Sequence, residues 1–306
     1  MDVSSGDADA KALEAAGATL AQLPCVSIAM GSDGASPAGR ALLGRFDVVV
    51  SSREECDAVV AAVQHAPLAS LALVQLLRHS ETLDVHEGLV AESLVYSMLQ
   101  SGPEFAAWLE QREPPRQRKA DAGPAVRVQR DSDRLQLTLN RPSKRNAFSA
   151  EMRDALAEAL AMAIYDSSIR SVELRGAGPS FCSGGDLDEF GTFPDPATAH
   201  AIRCTRNPGR LLAACADRVR VEVQGACVGA GMELPAFAAH VVAAENSFFQ
   251  LPEVGMGLVP GAGGTVSVPR RIGRERTAYL ALSGVRLDAP TAKSWGLVDE
   301  IGPAPG

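Results

Sequence analysis

The sequence predicts an α/β protein: a layered core of alternating strands and helices, preceded by a mostly helical segment. Three observations carry this expectation. From Val126 onward, short β-branched runs alternate with helical patterns. Glycine-rich turns follow those strands, where a backbone can approach a ligand closely. Before Val126 the apolar positions recur mainly at helical spacing, with one buried-strand run.

Composition sets the bounds. The 306 residues suit one large domain or two small ones, with length enough for a proper core. Apolar content of 46% and charged content of 22% describe an ordinary soluble globule. A net charge of −8 argues against a general nucleic-acid binder. No apolar run is long enough to span a bilayer. The opening Met1 to Asp7 is acidic and lacks the basic and apolar regions of a signal peptide. Six scattered cysteines suit reduced thiols, so a cytoplasmic location is expected. Cys182 and Cys227 lie within the candidate site loops but read as small buried hydrophobes.

In chain order, residues 24–40 are rich in Gly, Ser and Pro and read as a loop. Phe46 to Val50 reads as a buried strand. Ser52 with Glu55 forms a capping-box pattern, opening a helix with Cys56, Val59, Val60 and Val63 on one side. Helices follow over Leu68–Leu77, Leu89–Leu99 and Phe105–Leu109. His65, His79 and His86 show no metal-ligand spacing. The polar, proline-containing run Glu113 to Pro124 reads as a linker, which predicts an accessory domain over residues 1–120 and a second domain over residues 121–306. Val126–Arg130 and Leu135–Leu139 alternate as a hairpin around Asp131–Asp133. Arg141, Lys144 and Arg145 then make a basic loop. Ser149 caps a helix carrying Met152, Leu156, Leu160 and Ile164 on one face. Val172–Arg175 is a further strand.

The densest chemistry lies between Val223 and Thr265. After the strand Val221–Val223, Gly225 to Gly231 holds three glycines in seven positions. Met232 to Ala239 reads as a helix start, whose unpaired N–H groups would face the glycine turn and favour developing negative charge. Glu233 and Glu253, twenty positions apart, both sit among apolar neighbours. Burial separates the pKa values of such a pair, so that one carboxyl donates a proton and the other accepts one. Dinucleotide, Walker, zinc-protease and nucleophile-elbow motifs are missing from the sequence, and no metal or redox cofactor is implied.

Four pieces, in order, resemble the crotonase superfamily of enoyl-CoA hydratases and isomerases: Leu139 to Ala147, Phe181 to Leu187, Gly225 to Leu234, and Leu251 to Thr265. The resemblance runs from about Ala125 to Gly302. It implies a ββα spiral core, usually assembled as homotrimers or homohexamers, with coenzyme A entering as part of an acyl-CoA substrate. The backbone N–H groups of Gly185 and Ala230 would form an oxyanion hole for the thioester. Glu233 would activate water toward Cβ, and Glu253 would protonate Cα. Keeping both glutamates favours hydration, since isomerases of the family generally keep the one matching Glu253. Arg141, Lys144, Arg145, Ala147, Ser183, Gly184 and Asp186 match substrate- and CoA-binding positions, with a structural role as the other reading of Asp186. Family members usually end in helices that cover the acyl pocket, and the N-terminal helices are expected to replace that cover here. This layout also resembles the dihydroxyphenylacetyl-CoA dioxygenase branch. An isomerase, a dioxygenase, a C–C lyase or a noncatalytic subunit therefore remain as alternatives.

Overall fold

The computed structural model describes residues 10–31, 37–113, 121–193 and 195–304. The N-terminal part opens with helix Ala10–Gln22 (α1), strand Ile28–Met30 (β1), helix Pro37–Leu43 (α2) and strand Val48–Val50 (β2). The region 24–40 expected as a loop thus contains a strand. β1 pairs in parallel with β2, with Ile28 opposite Val48, and this long-range pairing overrides the local glycine and serine content. Helices Arg53–His65 (α3), Pro67–Ser80 (α4), Val85–Gln100 (α5) and Pro103–Gln111 (α6) follow. Ser52 Oγ accepts the Glu55 N–H at 3.2 Å, while the Glu55 carboxylate reaches the N–H of Ser51 rather than that of Ser52. A full capping box forms instead at α5, between Asp84 and Glu87. Most of the run read as a linker, Glu113 to Pro124, lies outside the described residues.

The remaining strands build two sheets. Val126–Asp131 (β3) and Arg134–Leu139 (β4) form the expected hairpin, with Leu135, Leu137 and Leu139 buried on one face. Ala150–Tyr165 (α7) crosses to Ser171–Gly176 (β5), and Ser149 Oγ caps α7 by accepting the Met152 N–H. Pro196–Thr205 (α8) and Pro208–Ala214 (α9) lead to Val219–Val223 (β6) and Ala226–Val228 (β7). A four-residue helix, Ala230–Glu233 (α10), precedes His240–Ala244 (β8) and Phe248–Gln250 (β9). Gly264–Ile272 (α11), Arg274–Ser283 (α12), Leu287–Asp288 (β10), Ala289–Trp295 (α13) and Glu300–Gly302 (β11) complete the chain. The larger sheet runs β11-β8-β6-β5-β4-β3, and the smaller runs β10-β9-β7. Successive ββα units thus place one strand in each sheet before turning into a helix, as β6-β7-α10 and β8-β9-α11 do. This is the ββα spiral.

One buried cluster runs through both halves, from Val48, Leu73, Leu77 and Phe105 to Leu137, Leu174, Val221 and Leu280. Asp47 pins the N-terminal part to α12. Its side chain is 1% exposed; it accepts from the Ser27 N–H at 2.8 Å, from Arg78 at 2.6 Å and from Arg274 at 3.3 Å. Burial alone would raise its pKa, but hydrogen bonds from Arg78 and Ser27 bring it below the ordinary value. Among the described residues no single helix is long and apolar enough to cross a membrane.

Asp47→Ala removes the buried carboxylate shared by Arg78 and Arg274, leaving Arg78 its backbone carbonyls and Arg274 its pair with Glu81. It is expected to lower stability by about 3–5 kcal/mol in urea denaturation. Because the folded pKa is depressed, the Asp47 contribution is present above the unfolded aspartate pKa and lost as pH falls through the folded one. The gap between the wild type and the variant should therefore close toward acid pH.

Candidate active site

The end of β6 leads into the cleft. Gln224 is buried and donates to Gly176 O at 2.7 Å and Gly178 O at 2.9 Å, tying this end of β6 to the end of β5. β7 then runs beside the segment Cys182–Gly185: Cys182 N–H donates to Ala226 O, and Val228 N–H to Cys182 O. Both cysteines are buried and free. Gly229 makes the turn at φ +50°, ψ −120°, a conformation costly for any residue with a Cβ. The helix expected over Met232–Ala239 begins earlier and is shorter. It starts at Ala230 and gives way at Leu234 to a 3₁₀ turn over Pro235–Phe237, because Pro235 has no N–H to continue the ladder.

Two backbone donors face the cleft. Gly185 pairs in parallel with Phe148: Phe148 N–H donates to Gly184 O at 2.8 Å and Asp186 N–H to Phe148 O at 3.0 Å. The Gly185 N–H therefore points the other way. Ala230 occupies the first position of α10, where an N–H has no intrahelical partner. Neither N–H is hydrogen-bonded among the described residues, and both residues line the cleft.

Two buried carboxyls stand beside these donors. Glu233 is 2% exposed, and its Oε2 accepts the N–H groups of Ala262 at 2.7 Å and Gly264 at 2.8 Å. A Cβ on Gly264 would lie 2.6 Å from Glu233 Cγ, so this approach requires glycine. Glu253 Oε2 has no hydrogen-bond partner among the described residues. A Cβ on Gly229 would collide with Glu253 Oε1 and stand 3.7 Å from Glu233 Oε1, so both carboxyls converge on the turn that presents the Ala230 N–H.

Burial drives the electrostatics. It pushes Glu253 up to about 8, reinforced by the charge of Glu92. It also holds Glu233 well above the ordinary carboxylate range, with further upward pressure from Glu253 and Glu92. The hydrogen bonds distinguish the two. Glu233 Oε2 has two N–H donors that can support a charge and Glu253 Oε2 has none, while burial raises both carboxyls, so the pair holds a proton between them at neutral pH.

The cleft encloses about 980 Å³, part of it open to solvent, and is lined by Phe148, Phe190, Phe193, Gly185, Asp186, Ala230, Glu233 and Glu253. The N-terminal helices contribute Tyr96 and Gln100 from α5. Phe190 is backed by Trp108 and Phe105 of α6, with ring centroids 5.9 and 6.3 Å away. Arg203 of α8 also lines the cleft, its guanidinium 4.8 Å over the Tyr96 ring.

The basic loop lies outside this cleft. Arg141 and Lys144 converge on Asp186 at 2.7 and 3.1 Å, and Lys144 also pairs with Asp188 at 2.6 Å. Arg141 in addition donates to Ala147 O. Burial alone would raise the Asp186 pKa, but Arg141 and Lys144 hold it below its usual range. Ser183 N–H donates to Arg145 O, and Gly184 O accepts from Phe148, so Ser183 and Gly184 shape the loop rather than the cleft surface. Arg145 is the exposed member of the basic set, at φ +52°.

The sequence reading missed Glu92, Tyr96, Gln100, Arg203 and the aromatic wall. A signal existed for Glu92. With Gly88, Leu89, Ser93 and Ser97 it falls on the buried stripe of α5, where a carboxylate needs a partner.

Fold and cleft together place the chain in the crotonase superfamily. At finer grain, the model of the enoyl-CoA hydratase/isomerase family matches residues 131–305, and the chain belongs to that family. It is 38% identical over 171 residues to the 1,2-epoxyphenylacetyl-CoA isomerase of Escherichia coli, covering 55% of this chain and 65% of that protein. It is 36% identical over 177 residues to the 2,3-dehydroadipyl-CoA hydratase of the same organism, covering 58% of this chain and 69% of the relative. The match to the isomerase thus spans less than two thirds of that protein. An enoyl-CoA hydratase structure from Mycobacterium smegmatis superposes with a TM-score of 0.54 at 31% identity, over 59% of this chain and 71% of that one.

At pH 7 the Glu253 carboxyl is expected to be protonated. In protein labelled with δ-¹³C glutamate, one signal absent from the Glu253→Gln variant should titrate at about 8. A signal titrating at the ordinary glutamate value would contradict the assignment.

Proposed function

We propose that the chain is an enoyl-CoA hydratase, adding water across the 2,3 double bond of an acyl-CoA thioester. The observation that supports this most is the unequal pair of carboxyls beside two unpaired backbone donors. The thioester oxygen would sit between the Gly185 and Ala230 N–H groups, where charge develops as the enolate forms. Glu233, charged and held by Ala262 and Gly264, would take a proton from water as its oxygen bonds to Cβ. The electrons of the double bond would pass to the thioester oxygen, and Glu253 would return a proton to Cα. The cycle leaves Glu233 protonated and Glu253 charged, so one proton must pass back before the next turnover.

Coenzyme A is then the carrier part of the substrate, and no further cofactor enters the scheme. The hydratase and isomerase names of the relatives both describe CoA thioesters, which supports the substrate class. Arg145 is the cation of the basic loop best placed for a nucleotide phosphate, since Arg141 and Lys144 are already paired within the protein. A homotrimer or homohexamer remains our expectation for the assembly.

Conjugated enoyl-thioester absorbance should fall on mixing with a 2-enoyl-CoA. Glu253→Gln and Glu233→Gln should each slow this by about a hundredfold to ten-thousandfold. Because Glu253 acts as an acid, activity should decline as pH rises through about 8. Unchanged turnover in Glu253→Gln would exclude this scheme.

A further inference from the structure

We propose that Glu92, carried on α5 of the N-terminal helical layer, is a positioning residue for the Glu233–Glu253 pair, acting through the backbone of residues 262–265. The proposal rests on the reading of the cleft given above.

The four successive N–H groups at the entry to α11 are divided alternately between two buried carboxylates. Ala262 and Gly264 donate to Glu233 at 2.7 and 2.8 Å. Gly263 and Thr265 donate to Glu92 at 2.7 and 2.9 Å, and Thr265 Oγ1 adds a third bond to Glu92 at 2.7 Å. These are groups that a helix N-terminus leaves without intrahelical partners. Each carboxylate thus takes alternate N–H groups of this turn. The backbone therefore cannot rotate to improve its bonds to one carboxylate without losing those to the other. Glu92 thereby sets the direction in which Ala262 and Gly264 present their N–H groups to Glu233. Glu92 is 2% exposed and does not line the cleft, so its effect on the chemistry passes through this turn and through its charge.

The charge has specific neighbours. Burial raises the Glu92 carboxyl to about 7, opposed by Thr265, Gly263 and Arg203. Arg203 on α8 is held by Ser93, Ser97 and Gln100 of α5, and the Tyr96 ring lies beneath its guanidinium. Glu233 on α10 and Glu253 after β9 both feel Glu92 as a like charge that raises their pKa values. Replacing Glu92 by glutamine removes that charge, which favours ionised Glu253 and so lowers its titration midpoint. A helix cap without electrostatic reach would leave that midpoint in place.

The test uses the full chain as wild type, E92Q and T265V, each checked by circular dichroism. E92Q is expected to lower the Glu253 midpoint, read from δ-¹³C glutamate signals, by about half a pH unit or more. It should speed amide exchange over residues 262–265. It should also reduce kcat on a 2-enoyl-CoA by about tenfold or more while KM moves by less than about threefold. T265V removes one donor and keeps a carboxyl at position 92, so exchange should quicken while the Glu253 midpoint falls by less than in E92Q. A folded E92Q with a wild-type Glu253 midpoint and wild-type exchange would overturn the proposal. Should E92Q fail to fold, a T265V variant with wild-type exchange and kcat would do the same. If the wild type hydrates no 2-enoyl-CoA, the function proposed above fails, and the midpoint and exchange measurements still decide the role of Glu92.

Discussion

The chain from Ala262 to Thr265 is held on both sides by buried carboxylates, and the cleft depends on that clamp. Four N–H groups that a helix start would leave unpaired are divided between Glu233 and Glu92. Burying a carboxylate is costly unless hydrogen bonds compensate, and burying an unpaired N–H is costly as well. Each liability here compensates the other. The arrangement leaves Glu253 Oε2 without a partner, and burial raises the Glu253 carboxyl to about 8.

The clamp also explains why the N-terminal helices belong to the site. Glu92 and Tyr96 lie one turn apart on α5; the first grips the start of α11 and the second lines the cleft. α6 supports Phe190 through Trp108 and Phe105. Arg112 at the end of α6 reaches the carbonyls of Leu187 and Phe190, fixing the turn just beyond Asp186. Tyr96 and Gln100 of α5 line the cleft, and one hydrophobic core runs through both halves of the chain.

Features set by neighbouring residues were legible in the sequence. The β3–β4 hairpin follows from strict alternation, and the cap of α7 from one serine. Gly185 and Ala230 were named through the resemblance of their glycine-rich pieces to the crotonase superfamily, and Glu233 and Glu253 through that resemblance together with their apolar neighbours. For Glu92 the helical spacing marks only a buried carboxylate on α5, because its partners lie 171 and 173 positions away. The strand β1 was hidden for the same reason, as its pairing with β2 and the Ser27–Asp47 bonds are tertiary. The basic loop shows a further limit. Arg141 and Lys144 read as cations for a phosphate, yet Asp186 and Asp188 already engage them, which no spacing along the chain reveals.

Turnover in the proposed scheme requires that the Gly185 and Ala230 N–H groups receive the reacting carbonyl. A crystal structure with a saturated acyl-CoA, which binds without reacting, measures this directly. The thioester oxygen is expected about 2.7–3.1 Å from both nitrogens, with Glu233 and Glu253 on the Cα–Cβ side. An acyl chain in the cleft whose thioester oxygen lies out of hydrogen-bond reach of both nitrogens would contradict it.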